Sequence, residues 1–157
     1  MPNPAHETVV YPFTGFNFAV EISLPGRSGL LVSAAFAECD GLEVNMEVKT
    51  LREGGNNGAL IRLAAPVGYG TLTLKRGMSA NFDLWEWLEL SVEDPSLRAD
   101  AMIVLLAADG ASERAVFTAS RCLPVKLKAP ALNAKEGAVA VEELQLAYES
   151  LSIRPGR

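Results

Sequence analysis

Residues 42–58 read "LEVNMEVKTLREGGNNG". The first half alternates. Leu42, Val44, Met46 and Val48 fall on one side, and Glu43, Asn45, Glu47 and Lys49 on the other. A period of two with one apolar face is the pattern of a β-strand. The second half, Arg52, Glu53, Gly54, Gly55, Asn56, Asn57 and Gly58, is two charges followed by five residues that are all Gly or Asn. Gly and Asn tolerate positive φ, and Gly loses too much backbone entropy to sit inside a helix or a regular strand. A long strand therefore runs into the most flexible sequence of the chain. Such a run is a solvated loop, or it becomes ordered by touching something outside its own domain.

Working outward, "LLVSAAFAECDG" before it and the strand just described read as a hairpin with Asp40-Gly41 at its tip, a pair that supplies positive φ. Small residues on both faces of Ser33 to Ala37 imply packing on each side. Toward the N-terminus, Phe18, Val20, Ile22 and Leu24 mark one face of another strand, and residues 1–13, with three prolines, read as an extended arm. On the C-terminal side, a long connection reaches Gly70 and "GTLTLKRG" is a short strand with Leu72 and Leu74 inward. "SANFDLWEWLELSVED" is a helix whose apolar face is Phe82, Trp85 and Leu88, widened by Leu84, with Asp83 and Glu86 as a capping box. Trp85 and Trp87 should not share a face.

"AMIVLLAADG" is a buried strand, and "ERAVFTASRCLPVKLK" a long strand interrupted at Pro124. "PALNAKEG" is a loop. "AVAVEELQLAYESLSI" closes the chain as one more long strand, with changes of phase between Val141 and Leu144 and after Tyr148 that each imply a bulge or a strong bend. Residues 154–157 look frayed. The whole, residues 1–157, reads as a single mainly β domain, an antiparallel β-sandwich or barrel with one α-helix.

The chemistry that composition allows is narrow. The net charge is −5, and no cluster of Lys and Arg marks a nucleic-acid surface. The single histidine, His6, lies in the arm, which argues against histidine-based catalysis or metal binding. Cys39 and Cys122 read as buried free thiols of a reducing compartment. No phosphate loop follows Gly58, because the Lys-Ser/Thr pair and the helix are missing. Neither a secretory signal nor an apolar run of ~18 residues is present, so synthesis in the cytoplasm without a membrane anchor is expected. No enzymatic activity, cofactor or metal is expected.

The order of the segments resembles the tail tube protein family of contractile phages and related contractile injection systems, which is similar to the tube subunit of type VI secretion. "LREGGNNG" stands where "YREGGNNG" is typical. "LKRG" leads into an Asp-Leu-Trp-x-Trp-Leu helix, Asp83 to Leu88. Pro124-Val125-Lys126 and "PALNA" precede Glu-x-Leu-x-Leu-Ala-x-Glu, Glu142 to Glu149. The connection "ALIRLAAPVGYG" departs from the pattern, with Arg62 and Tyr69 the nearest equivalents of its basic and Lys-Tyr positions.

This resemblance implies a structural subunit of the inner tube, six copies to a ring, with sheets joined into one barrel around a channel and rings stacked. Arg52 to Gly58 would be ordered by a neighbouring subunit or ring, and Glu43, Asn45, Glu47 and Lys49 would face the lumen, with Leu42, Val44, Met46 and Val48 packed on the subunit's own core. The implied partners are further copies of the chain, sheath subunits, baseplate, spike and tube-initiator proteins, and cargo, a tape-measure protein or DNA in transit. Assembly in the bacterial cytoplasm into a phage tail or an injection particle would follow. A tube-initiator or baseplate adaptor of the same fold is the alternative, and a monomeric secreted β-sandwich binding module a third.

Overall fold

The computed structural model describes residues 11–55 and 58–157. Ten strands and one helix follow in order: β1 Phe18–Ser23, β2 Val32–Ala34, β3 Glu38–Asp40, β4 Val44–Arg52, β5 Leu60–Tyr69, β6 Thr71–Gly77, α1 Asp83–Glu93, β7 Ala99–Leu106, β8 Glu113–Lys128, β9 Val141–Ala147 and β10 Ser150–Pro155. Every pairing is antiparallel.

Two sheets share the 16-residue β8. Its first part lies between β7 and β10, in the order β2-β1-β7-β8-β10. Its last part pairs with β9, which continues to β6 and β3. The strand changes sheets where Arg121 takes φ 56° and where the register shifts after Pro124. A left-handed residue and a bulge both bend a strand, so β8 serves two sheets without ending. Pro124, expected to interrupt the strand, sits at its bulge.

The two inner faces meet in one core. Val20, Ile22, Ala101, Ile103 and Ala119 come from the first sheet, and Leu72, Leu74, Leu144 and Leu146 from the second. The path of strands runs from β2 at one end to β3 at the other, so the sheet is antiparallel and open rather than a closed barrel.

The helix buries Leu84, Trp87 and Ser91. Phe82 is exposed and Trp85 half-buried, so the buried face is turned away from the expected Phe82-Trp85-Leu88 stripe. Trp87 is the anchor, and the two tryptophans do lie on different faces. The capping box is absent. Phe82 holds the N-cap position, and Asn81 Oδ1 accepts from the Asp83 amide instead. The Asp83 carboxylate is engaged by Arg76.

Three further expectations are corrected. Asp40-Gly41 is not a hairpin tip: β3 pairs with β6 (Asp40↔Thr73) and β4 with β5 (Val44↔Tyr69), in one continuous register. The true hairpin runs from Glu38 to Lys75, and of the expected loop Arg52 to Gly55 and Gly58 lie at its tip. The closing segment is two strands, and Val141 to Leu144 holds no bulge, because Glu142 itself takes the buried position between Val141 and Glu143. The tail is not frayed at its start. Arg154 and Pro155 pair with Val116 and Ala115, and the Gly156 amide donates to Arg114 O at 3.0 Å. Of the arm, Tyr11 to Phe13 form no regular structure and are exposed, and residues 1–10 lie outside the described residues.

Candidate functional site

The hairpin leaves the body at a fixed kink. Gly41 has φ +100°, and a Cβ there would stand 1.9 Å from the Thr71 carbonyl oxygen. Only glycine allows strands to pass this closely. Tyr148 Oη accepts from the Glu43 amide at 3.0 Å and donates to Gly41 O at 2.8 Å. Its ring lies 5.6 Å from that of Tyr69. The Gly70 amide donates to Glu43 O at 3.1 Å. Below this clamp β3 and β6 belong to the body. Above it β4 and β5 form a two-stranded ribbon paired with nothing else among the described residues.

Every residue of β4 is exposed. Opposite residues of an antiparallel pair share a face. Near the base, Val44 and Met46 therefore lie with Tyr69 and Val67, and Asn45 lies with Gly68 on the reverse. A register shift between Met46 and Val48 separates base from tip. Beyond it the reverse face turns apolar, with Leu51 opposite Ile61 and Lys49 opposite Leu63. The exposure of Val44, Met46, Val48 and Leu51 is 53%, 59%, 56% and 51%. These side chains do not pack on the subunit's own core, contrary to the expectation for Val44, Met46 and Val48. Of that stripe only Leu42 touches the core. The reason is geometric: the ribbon projects past the last row of the sheet.

Glu43, Asn45, Glu47 and Lys49 alternate along the other side. Asn45 Nδ2 donates to Glu43 Oε1 at 3.0 Å, which puts those two together. At the tip, Arg52, Glu53, Gly54, Gly55 and Gly58 surround a surface hollow with Ala59 and Leu60. Asn56 and Asn57 lie outside the described residues.

The outward face of the second sheet carries a ladder of charge. Glu38, Lys75, Glu143 and Lys128 stand in register across β3, β6, β9 and β8. Asp40, Thr73, Gln145 and Lys126 form the adjacent row. Lys75 Nζ lies 3.2 Å from Glu38 Oε2. Its inward face holds a different charged group. Arg76 donates from Nε to Glu142 Oε1 and from a terminal nitrogen to Asp83 Oδ1, while Trp85 Nε1 donates to Glu142 Oε2 at 3.2 Å. Burial opposes the Arg76 charge, but the hydrogen bonds to Asp83 and Glu142 outweigh it and hold its pKa up. This knot joins β6, β9 and the start of α1, and sequence reasoning misses it. Its one signal is an acidic residue, Glu142, in the apolar phase of β9.

Burial also pushes the thiols up, Cys39 to about 11 and Cys122 to about 12, aided at Cys39 by Asp40. They are unreactive at neutral pH. Among the described residues no group of three or more His, Cys, Asp or Glu could hold a metal ion, and no helix is long and apolar enough to cross a membrane.

Comparison with known proteins agrees with this architecture. No curated protein sequence matches the chain. A chain in the cryo-EM structure of the anti-feeding prophage baseplate, 6-fold symmetrised, is 26% identical with a TM-score of 0.80, over 94% of this chain and 98% of that one. A chain of the sheath-tube complex of an extracellular contractile injection system, PVC, in the extended state, is 20% identical with a TM-score of 0.79, over 94% of each. Hcp1 from Flavobacterium johnsoniae shares the fold more distantly, at 12% identity and a TM-score of 0.51, over 88% of this chain and 96% of that one. The family model described as T4-like virus tail tube protein gp19 matches residues 14–152. With nearly the whole folded chain matched, this protein belongs to the T4-like virus tail tube protein family.

Proposed function

We propose that the chain is a subunit of the inner tube of a contractile phage tail or contractile injection system, forming six-membered rings that stack around a channel for cargo or DNA. The observation that carries this reading is the β4–β5 ribbon. Its apolar side chains are uncovered on one face at the base and on the other at the tip. An isolated two-stranded ribbon is marginal in water, and an apolar one invites association. In a tail tube protein the natural cover is another copy. Six copies are supported by the 6-fold symmetrised assembly that holds a 26% identical chain.

In this reading Arg52 to Gly58 touches a neighbouring subunit or ring, and Glu43, Asn45, Glu47 and Lys49 face the channel. Sheath, baseplate, spike and tube-initiator proteins are the further partners, with a tape-measure protein, cargo or DNA passing through. Assembly takes place in the bacterial cytoplasm. The subunit works by shape and not by catalysis.

A tube-end role is the second reading, favoured by the baseplate chain and by a chain of the anti-feeding prophage tube-terminating cap, 22% identical with a TM-score of 0.80. Light scattering and negative-stain microscopy of the purified protein distinguish them. Rings that stack into tubes at high concentration are expected. Single rings that never stack favour the tube-end role, and a persistent monomer overturns both.

A further inference from the structure

We infer that Arg121 is a positioning residue for the β4–β5 ribbon: from a strained place in β8 it holds the β9–β10 turn, and through that turn the root of the ribbon, in one fixed direction for meeting a neighbouring copy. The inference rests on the assembly reading for its consequence and goes beyond it in naming the residue that aims the ribbon.

Among the described residues Arg121 alone has a positive φ without being glycine, at 56°. It lies inside β8, where Ala99 stands opposite Cys122 and Ala101 opposite Ala119, so Ser120 and Arg121 together face Asp100. The left-handed residue of such a bulge is normally glycine, which has no Cβ to crowd the backbone. The Arg121 amide donates to Asp100 Oδ1 at 3.2 Å, a bond that glycine would also make. What the arginine adds is its guanidinium, paired with the carboxylate of Glu149. Both side chains are exposed, 61% and 57%, and an exposed pair returns less than the left-handed conformation costs. For the isolated subunit Arg121 is therefore a net burden, and strained residues persist where function holds them.

The contacts that lead away from Glu149 identify what is held. Its amide donates to Ser120 O at 3.0 Å, so the turn is tied to the bulge by backbone and side chain together. The residue before it is Tyr148, whose hydroxyl bonds Gly41 O and the Glu43 amide at the root of one ribbon arm and whose ring meets Tyr69 on the other. A contiguous path thus runs from the guanidinium through Glu149 and Tyr148 to both arms. Above that root the ribbon has no other strand to brace it among the described residues. A ribbon already aimed meets its neighbour without first being ordered, and preorganisation of this kind lowers the cost of association.

The test uses full-length variants. Arg121→Gly relieves the strain and removes the guanidinium, Arg121→Asn also accepts the left-handed conformation without a charge, and Arg121→Lys keeps the charge. Arg121→Gly is expected to melt no lower than the parent and up to about 4 °C higher. It should nevertheless form rings on the order of tenfold less readily, because a ribbon that is not aimed must be ordered at every contact. Arg121→Lys should recover most of the assembly. The direction of the ribbon is read in dilute, dissociated subunits from the distance between spin labels attached at Thr50→Cys on β4 and Ser152→Cys on β10, both exposed positions. Burial keeps the native thiols protonated and unlabelled at neutral pH. The distance distribution should broaden in Arg121→Gly and Arg121→Asn and stay narrow in Arg121→Lys. A lower melting temperature for Arg121→Gly would make the arginine a prop of the fold and overturn the inference. Parental ring formation by that variant, or equal distance distributions in parent and variants, overturns it while leaving the ring intact. A parent chain that forms no rings overturns the ring reading, and the spin-label distances then decide the positioning role by themselves.

Discussion

Tyr148 Oη donates to the carbonyl oxygen of Gly41 at 2.8 Å across 107 residues of sequence, and the same phenol accepts from the Glu43 amide at 3.0 Å. One hydroxyl thus pins the departure of the ribbon from the body to the end of β9. Tyr148→Phe keeps the ring packing and removes the hydroxyl, leaving backbone groups unpaired at a cost of about 1–3 kcal/mol. The expected result is a lower melting temperature and faster hydrogen exchange at Glu43, with the remaining sheet unchanged. Gly41→Ala should be more damaging, since its Cβ overlaps the Thr71 carbonyl at a positive φ. Equal exchange at Glu43 in parent and Tyr148→Phe would show that the clamp does not hold the ribbon.

Removing one partner of the buried knot should be costly. Side-chain exposure is 5% at Arg76 and 1% at Glu142. Glu142→Ala leaves the guanidinium with Asp83 as its one carboxylate and strips Trp85 Nε1 of its acceptor, for a loss of about 3–5 kcal/mol. Urea unfolding measures it. A loss below ~1 kcal/mol, the range of an exposed pair, would mean the knot is solvated in solution.

Gly54 separates folding from assembly. A Cβ there meets nothing within 4 Å, and its φ is not positive, so Gly54→Val fits the isolated subunit. Its melting curve should match the parent's while ring stacking falls, because a branched side chain would then occupy the contact proposed for the tip. Gly55, at φ +99°, is the strained comparison in which both should suffer. Normal stacking of Gly54→Val would take the tip out of the subunit and ring contacts.

Periodicity reports faces well and partners poorly. Phe18 to Leu24, Leu72 and Leu74 are legible because alternation says which side is buried. The pairing of β4 is not. Asp40-Gly41 has the chemistry of a tight turn, yet its positive φ serves a close crossing with Thr71, and nothing local distinguishes those uses. β5 is hidden because its apolar residues are exposed on both faces and interrupted by Pro66 and Gly68, so "LIRLAAPVGY" shows no period of two. Glu142 mimics a phase change because a charge in the apolar phase is normally excluded, and its partner Arg76 is 66 residues away. The polar face of Glu43, Asn45, Glu47 and Lys49 is legible as a face, but one chain cannot say what lies opposite it.

The substitution Asn45→Cys reports that environment. It gives up only the exposed hydrogen bond to Glu43. The native thiols do not compete, because Cys122 is buried and burial holds Cys39 near 11, so neither is a thiolate at about pH 8. Both folded values lie above the ordinary 9.0. Their contribution to stability is therefore complete below pH 9.0 and is lost as pH rises toward 11 and 12, which keeps labelling at about pH 8 safely on the folded side. In assembled tubes a thiol reagent too bulky for the channel should label the introduced thiol only near the ends, while a small reagent labels it throughout. In dissociated subunits both should react fully. Rapid labelling by the bulky reagent along the whole tube would put this face of β4 on the outside, against the sheath, and the wall of the channel would have to come from another surface.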